Sequence, residues 1–194
     1  MGQPAVRTGL TPAEYLAFER ASEEKHEYAD GEIFSMAGCS REHSLINANV
    51  QRELGNALID RPCELHTSDM RVKIAARGRY VYPDASVVCG EPVFEDAEVD
   101  TLQNPRLIVE VLSDSTEAYD RGDKFEQYRS IPSVTDYLVI SQKAVRVEHF
   151  QRQPDGRWLL TLAGPGERLV LDAIGVTIEV DRLYLKVALP SASV

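Results

Sequence analysis

Apolar and polar positions along this chain follow two periods, and they change over at recognisable punctuation. Tyr15, Leu16 and Phe18 give a short amphipathic stretch behind Thr11-Pro12-Ala13-Glu14. Thr11 can cap a helix, Pro12 suits the first helical position and Glu14 completes a capping box, so a helix is predicted from 12 to about 22. "KHEYADGEIFSM" reads as two short strands joined by Asp30-Gly31, a type I′ hairpin signal, with Glu27 on the first strand. A second helix is predicted over about 40–59, where Ile46, Val50, Leu54 and Ala57 keep helical spacing and His43 projects beside the same stripe. The stretch "CELHTSDMRVKIAARGRYVYPDASVVCG" reads as three strands. Residues 91–104 are acidic and polar, a loop.

Residues 106–112 form a strand, 113–116 carry turn and cap chemistry, and 120–130 form a helix that Pro132 closes. "VTDYLVIS" is a further buried strand, so 106–140 is expected to be a parallel, right-handed crossover unit. A hairpin across Asp155-Gly156 and short final strands with one helical turn complete the chain. The pattern is that of an α/β (α+β) fold in a single domain over 1–194, with about 1–10 and 190–194 as loose tails.

Two strands break their own apolar pattern. Glu110 sits in "LIVEVL" between Val109 and Val111, and Asp84 follows Pro83 in "YVYPDASVV". An unpaired buried carboxylate costs several kcal/mol or shifts its pKa upward. One solution is structural: Glu110 pairs with a basic side chain and Asp84 caps a turn. The other is a shared divalent cation, since Mg²⁺ takes oxygen ligands and is satisfied by one or two carboxylates plus water. Lys124 follows on the next helix, and Asp120, Lys124 and Tyr128 are spaced to share a helix face.

Composition changes this picture in three ways. The chain has 194 residues, 43% of them hydrophobic, enough for a substantial core. No apolar run approaches the roughly 18 residues of a membrane span, and the first residues have no signal-type apolar core, so a cytoplasmic protein without membrane contact is expected. The formal charge of −10 argues against a general electrostatic grip on nucleic acid, so any basic face must be local. Cys39, Cys63 and Cys89 are odd in number and form no C-x-x-C, which suggests three small buried thiols.

"YPD", then "LIVEVLSDST", then "DRGDKFEQYRS" closely resemble a bacterial restriction endonuclease family of the PD-(D/E)XK nuclease superfamily. The resemblance runs from "TPAEYLAFE" through "HEYADGEIFSMAG" and "REHSLINANV" to "DYLVISQ" and the β-rich end. It implies a restriction-endonuclease-like central mixed β-sheet flanked by helices, with an added β-rich C-terminal part. It implies Mg²⁺ or Mn²⁺ as cofactor, with Asp84 and Glu110 as the metal-binding carboxylates. It further implies Glu27 as an acidic site residue, DNA as the substrate and a homodimer as the assembly. The superfamily pattern places a lysine two residues after Glu110, where this chain has Leu112. Lys124 resembles a replacement reaching the same space from the adjacent helix.

Other candidates carry two readings each. His43 is a general base or phosphate contact, or a hydrogen-bonded core histidine. Gln127 and Tyr128 line the site from the Lys124 helix, or Tyr128 is core with its hydroxyl satisfied at the edge. Arg71, Lys73, Arg77 and Arg79 form either a solvated face or a phosphate-contacting arm beside the metal site. His26, His66 and His149 have no companions in sequence and read as structural or exposed. Three functions follow: a metal-dependent endonuclease, a non-catalytic module of the same fold that binds nucleic acid or protein, or a small-molecule hydrolase supported only by acidity.

Overall fold

The computed structural model describes residues 5–36, 38–113 and 120–189, the side chain of Asp120 excepted. The turn and cap expected at 114–116 lie outside the described residues.

The first helix, α1 (Pro12–Ala21), has the capping box in full: the Thr11 hydroxyl accepts from the Glu14 amide, and the Glu14 carboxylate accepts from the Thr11 amide. Strands β1 (His26–Ala29) and β2 (Glu32–Ser35) pair antiparallel. Their turn places Asp30 and Gly31 at φ of 54° and 88°, the two left-handed positions of a type I′ turn. The segment before α1 is not a loose tail throughout. The amide of Val6 donates to Ile33 O and that of Leu10 to Gly31 O. Helix α2 (Arg41–Leu58) starts at Ser40, whose hydroxyl accepts from the His43 amide.

Residues 63–90 hold four strands rather than three: β3 (Cys63–Thr67), β4 (Arg71–Ile74), β5 (Arg79–Val81) and β6 (Ala85–Cys89). Pro83 has no amide hydrogen and interrupts the last apolar run. The chain leaves one sheet at Val81 and enters another at Ala85. Within the acidic loop lies β7 (Thr101–Leu102), followed by β8 (Leu107–Val111) and β9 (Asp136–Ile140). The segment between them is π-helical over Asp120–Lys124 and α-helical over Phe125–Tyr128. Then come β10 (Val147–Arg152), β11 (Trp158–Ala163), β12 (Arg168–Leu171), β13 (Val176–Glu179) and a helical turn, Val180–Leu183.

Among the described residues the strands form three sheets. A six-stranded mixed sheet has the order β11-β10-β9-β8-β6-β3, with β8 and β9 parallel. A five-stranded sheet has the order β2-β1-β5-β4-β7, and β12 pairs with β13. Alternation along β8 sends Leu107, Val109 and Val111 to one core with Ile46, Val50 and Leu54 of α2. Ile108 and Leu112 face a second core with Val72, Ile74 and Val81 of the five-stranded sheet and Tyr128 of the short helix. Glu110 lies on that second face.

The cysteines depart from expectation. Cys63 and Cys89 are directly opposed in the β3–β6 ladder and form a disulfide, while Cys39 is exposed. Spacing along the chain cannot report a cross-strand pairing, so three buried thiols was the wrong reading.

Candidate active site

The site lies where the chain passes from β5 to β6. The antiparallel register opposes Ala85 to Val109. One step beyond the end of that ladder, Asp84 comes level with Glu110. Asp84 has left the regular ladder after Pro83, and hydrogen bonds from β8 and α2 hold it in place. The Val111 amide donates to Asp84 Oδ2 at 2.7 Å, and His43 Nε2 lies 3.3 Å from the same oxygen. Asn47 Nδ2 donates to Asp84 Oδ1 at 3.3 Å, and Gln51 Nε2 donates to the Asp84 carbonyl at 3.0 Å.

Glu110 is almost fully enclosed, its side chain 5% exposed. Its Oε1 accepts from the Tyr128 hydroxyl at 2.7 Å and lies 2.9 Å from Lys124 Nζ. Lys124 is itself buried, and its ammonium lies 3.9 Å from Glu27 Oε1. That oxygen also accepts from the Tyr82 amide at 3.4 Å. The ammonium thus stands between carboxylates brought in by β1 and β8. Burial, followed by the charges of Glu110 and Glu27, pushes the Tyr128 hydroxyl well above its ordinary pKa, so it remains a proton donor. The π-turn at Asp120–Lys124 leads directly into the helix that carries Tyr128 and the buried Gln127. Such turns recur at functional sites because they shift side chains out of α-helical phase.

Leu112, at the position where the superfamily pattern has lysine, is 2% exposed and packed in the second core. The cation beside Glu110 is Lys124, which comes from the helix.

Two of the expected substrate contacts sit with other partners. Arg71 is buried at 3% exposure, donates to Thr101 Oγ1 and Tyr82 OH, and pairs with Asp100 at 2.8 Å. Lys73 pairs with Glu95, Arg77 with Glu126, and Arg79 with Asp30. Of these four, Arg71 is buried, Lys73 and Arg79 are partly buried and Arg77 is exposed, and each is paired with an acid. The acidic loop before β8, which sequence separates from them, neutralises two of them. His26 and His149 are buried against Glu19 and Asp136.

Asn47 and Gln51 were not singled out in the sequence. Their signal was there: with His43 they stand four residues apart along α2, a polar stripe beside the apolar one. Only the fold shows that this stripe meets Asp84.

The site presents the carboxylate oxygens of Asp84, Glu110 and Glu27 with His43 Nε2 beside Asp84 and no sulfur, which suits a hard dication such as Mg²⁺ better than a thiophilic metal. Among the described residues no group of three or more His, Cys, Asp or Glu side chains is placed to hold a metal ion.

Residues 12–183 match the Uma2 family, described as "Putative restriction endonuclease". The chain is 40% identical over 175 residues to the uncharacterized protein slr1290 of Synechocystis sp. (strain ATCC 27184 / PCC 6803 / Kazusa), covering 90% of this chain and 91% of that one. It is 45% identical over 152 residues to the uncharacterized protein sll1609 of the same organism, covering 78% and 86%. Its fold is similar to the crystal structure of "a putative nuclease belonging to DUF820" from Anabaena variabilis ATCC 29413. The TM-score is 0.74 at 14% identity, over 91% of this chain and 98% of that one, a likeness of fold. No helix among the described residues is long and apolar enough to cross a membrane. With its nuclease-like mixed sheet and a family match that spans β1 to β13, the chain belongs to the Uma2 family of restriction-endonuclease-like proteins.

Proposed function

We propose that this protein is a metal-dependent endonuclease that hydrolyses DNA phosphodiester bonds, acting in the cytoplasm as a homodimer. The observation that carries the reading is the buried ammonium of Lys124, 2.9 Å from Glu110 Oε1. It provides from the helix the cation that Leu112 cannot provide from the strand. Asp84 and Glu110 would hold Mg²⁺ or Mn²⁺, which when bound polarises a phosphoryl oxygen and lowers the pKa of water.

The chain's own residues supply the rest. Lys124 offsets negative charge developing on the phosphoryl group and orients a water beside Glu110. Glu27 shares that ammonium and keeps it directed into the site. Tyr128 holds Glu110 by donating a hydrogen bond from a hydroxyl that burial keeps protonated. His43 Nε2, beside Asp84, reaches a phosphate from the start of α2.

Cleavage of a DNA duplex with Mg²⁺ or Mn²⁺ tests this. Activity is expected in the wild type and a loss of at least about a hundredfold in Asp84→Ala and Glu110→Ala. Equal cleavage by all three proteins would sink the site.

A second reading has one observation in its favour. Leu112 is sealed in the core, which suits a non-catalytic nuclease-fold module that binds nucleic acid or protein. Calorimetric titration with Mg²⁺ and Mn²⁺ separates the two. A folded wild type that binds neither ion supports the module.

A further inference from the structure

Asp84 raises a mechanical question. It follows a proline, lies outside the regular ladder, and is the one site carboxylate whose backbone no strand holds. Glu110 is held within the β8–β9 ladder, opposite Val139, and directly follows Val109, the last residue of the β6 ladder. Asp84 needs another device to keep its carboxylate facing Glu110.

We propose that Asn47 and Gln51 of α2 are positioning residues that set the orientation of Asp84 toward the cation. This rests on the reading of Asp84 as a metal-facing carboxylate. Gln51 Nε2 has two hydrogens and two acceptors: Asn47 Oδ1 at 3.3 Å and the Asp84 carbonyl at 3.0 Å. By occupying Asn47 Oδ1, Gln51 turns the Asn47 amide so that its donor end, Nδ2, meets Asp84 Oδ1. Reversing the Asn47 amide would set its oxygen against Asp84 Oδ1, and reversing the Gln51 amide would set its oxygen against the Asp84 carbonyl. Gln51 Oε1 is buried without a hydrogen-bond partner among the described residues, so this amide is oriented for its donors at the expense of its acceptor.

The two oxygens of Asp84 are thereby held from different elements. β8 holds Oδ2 through the Val111 amide, and α2 holds Oδ1 through Asn47. Rotation of the carboxylate about its own axis must break one or the other. The helix is well suited to this task. Ile46, Val50 and Leu54 anchor it in the core one position along from Asn47 and Gln51. The polar stripe has little freedom to move independently of the sheet.

Two measurements test the proposal. The first is free of metal. Melting temperatures are compared for wild type, Asn47→Ala, Asp84→Ala and the double variant. Asn47→Ala is expected to lower the melting temperature in the wild-type background and to lower it less in the Asp84→Ala background, where only the bond from Gln51 is left to lose. An equal drop in both backgrounds would overturn the pairing. The second is Mn²⁺ titration by calorimetry. Asn47→Ala is expected to weaken Mn²⁺ binding about tenfold or more, the usual effect of losing a group that orients a metal ligand, and Gln51→Ala to act in the same direction. Affinities within twofold of wild type in both variants would overturn the positioning role. A wild type that binds no Mn²⁺ would overturn the metal reading of Asp84, while the melting-temperature cycle would still decide whether Asn47 holds it.

Discussion

Glu110 is a charged group placed where charge is least welcome, and two neighbours make it tolerable. Tyr128 donates to it and Lys124 stands beside it, both brought back by the helix that follows its own strand. Removing one partner of a buried pair leaves an expensive charge behind. Lys124→Met is therefore expected to destabilise the protein by about 3 kcal/mol in denaturant unfolding. Adding Glu110→Gln should recover part of that loss, because the neutral amide no longer needs a cation. Unchanged stability in Lys124→Met would show that the pair is not the main support of Glu110. The oddity of Glu110 was legible in sequence, since one carboxylate among five apolar neighbours stands out. Tyr128 was legible only as an ambiguity. Spacing placed it on the same helix face as Lys124, but only burial and distance show its hydroxyl on Glu110.

At the scale of elements, local chemistry predicted well wherever a few adjacent residues decide the outcome. The Thr11–Glu14 capping box and the Asp30-Gly31 turn formed as read. The strands of 63–90 were undercounted, because Pro83 ends one strand and the next joins a different sheet. Strand β11 raises a separate matter. It is an edge of the six-stranded sheet, and Leu159, Leu160 and Leu162 are each about half exposed. Edge strands normally carry a charge, a proline or a bulge that blocks further pairing. Residues 158–163 contain no charge and no proline. In a chain of charge −10, such a neutral segment can meet its own copy without like-charge repulsion. The proposed homodimer is accordingly expected to pair along β11. Leu160→Lys should convert it to a monomer in sedimentation velocity without changing its fold. A dimer that persists in Leu160→Lys would place the interface elsewhere.

Over the whole molecule, the acidic balance is partly spent on internal pairing. Asp100 binds Arg20 and Arg71, Asp96 binds Arg20, and Glu95 binds Lys73, tying the loop before β8 to α1 and β4. The Arg20 guanidinium, with Thr101 and Arg71, holds the Asp100 carboxyl well below the usual carboxylate range. The folded state thus binds this proton more weakly than the unfolded chain. Its stabilising contribution is complete above the ordinary aspartate value near pH 4 and declines as pH falls below it. Asp100→Asn should be less stable than wild type at pH 7, and the difference should shrink as pH falls from about 4 toward 2. Denaturant unfolding across that range measures it. A difference independent of pH would mean that the ionised carboxylate contributes nothing specific.

The sequence by itself determined helices α1 and α2, the hairpin turns, most of the buried strands and the carboxylates that break them, because those depend on short-range periodicity and on turn chemistry. It also carried the family likeness, through motifs spread over nearly the whole chain. The tertiary structure alone decided which distant groups meet. It joined Cys63 to Cys89, paired the basic residues of 71–79 with acids, and brought the polar stripe of α2 onto Asp84. Each of these is a contact between residues far apart along the chain. Their meeting is set by strand order and register, which no local pattern encodes.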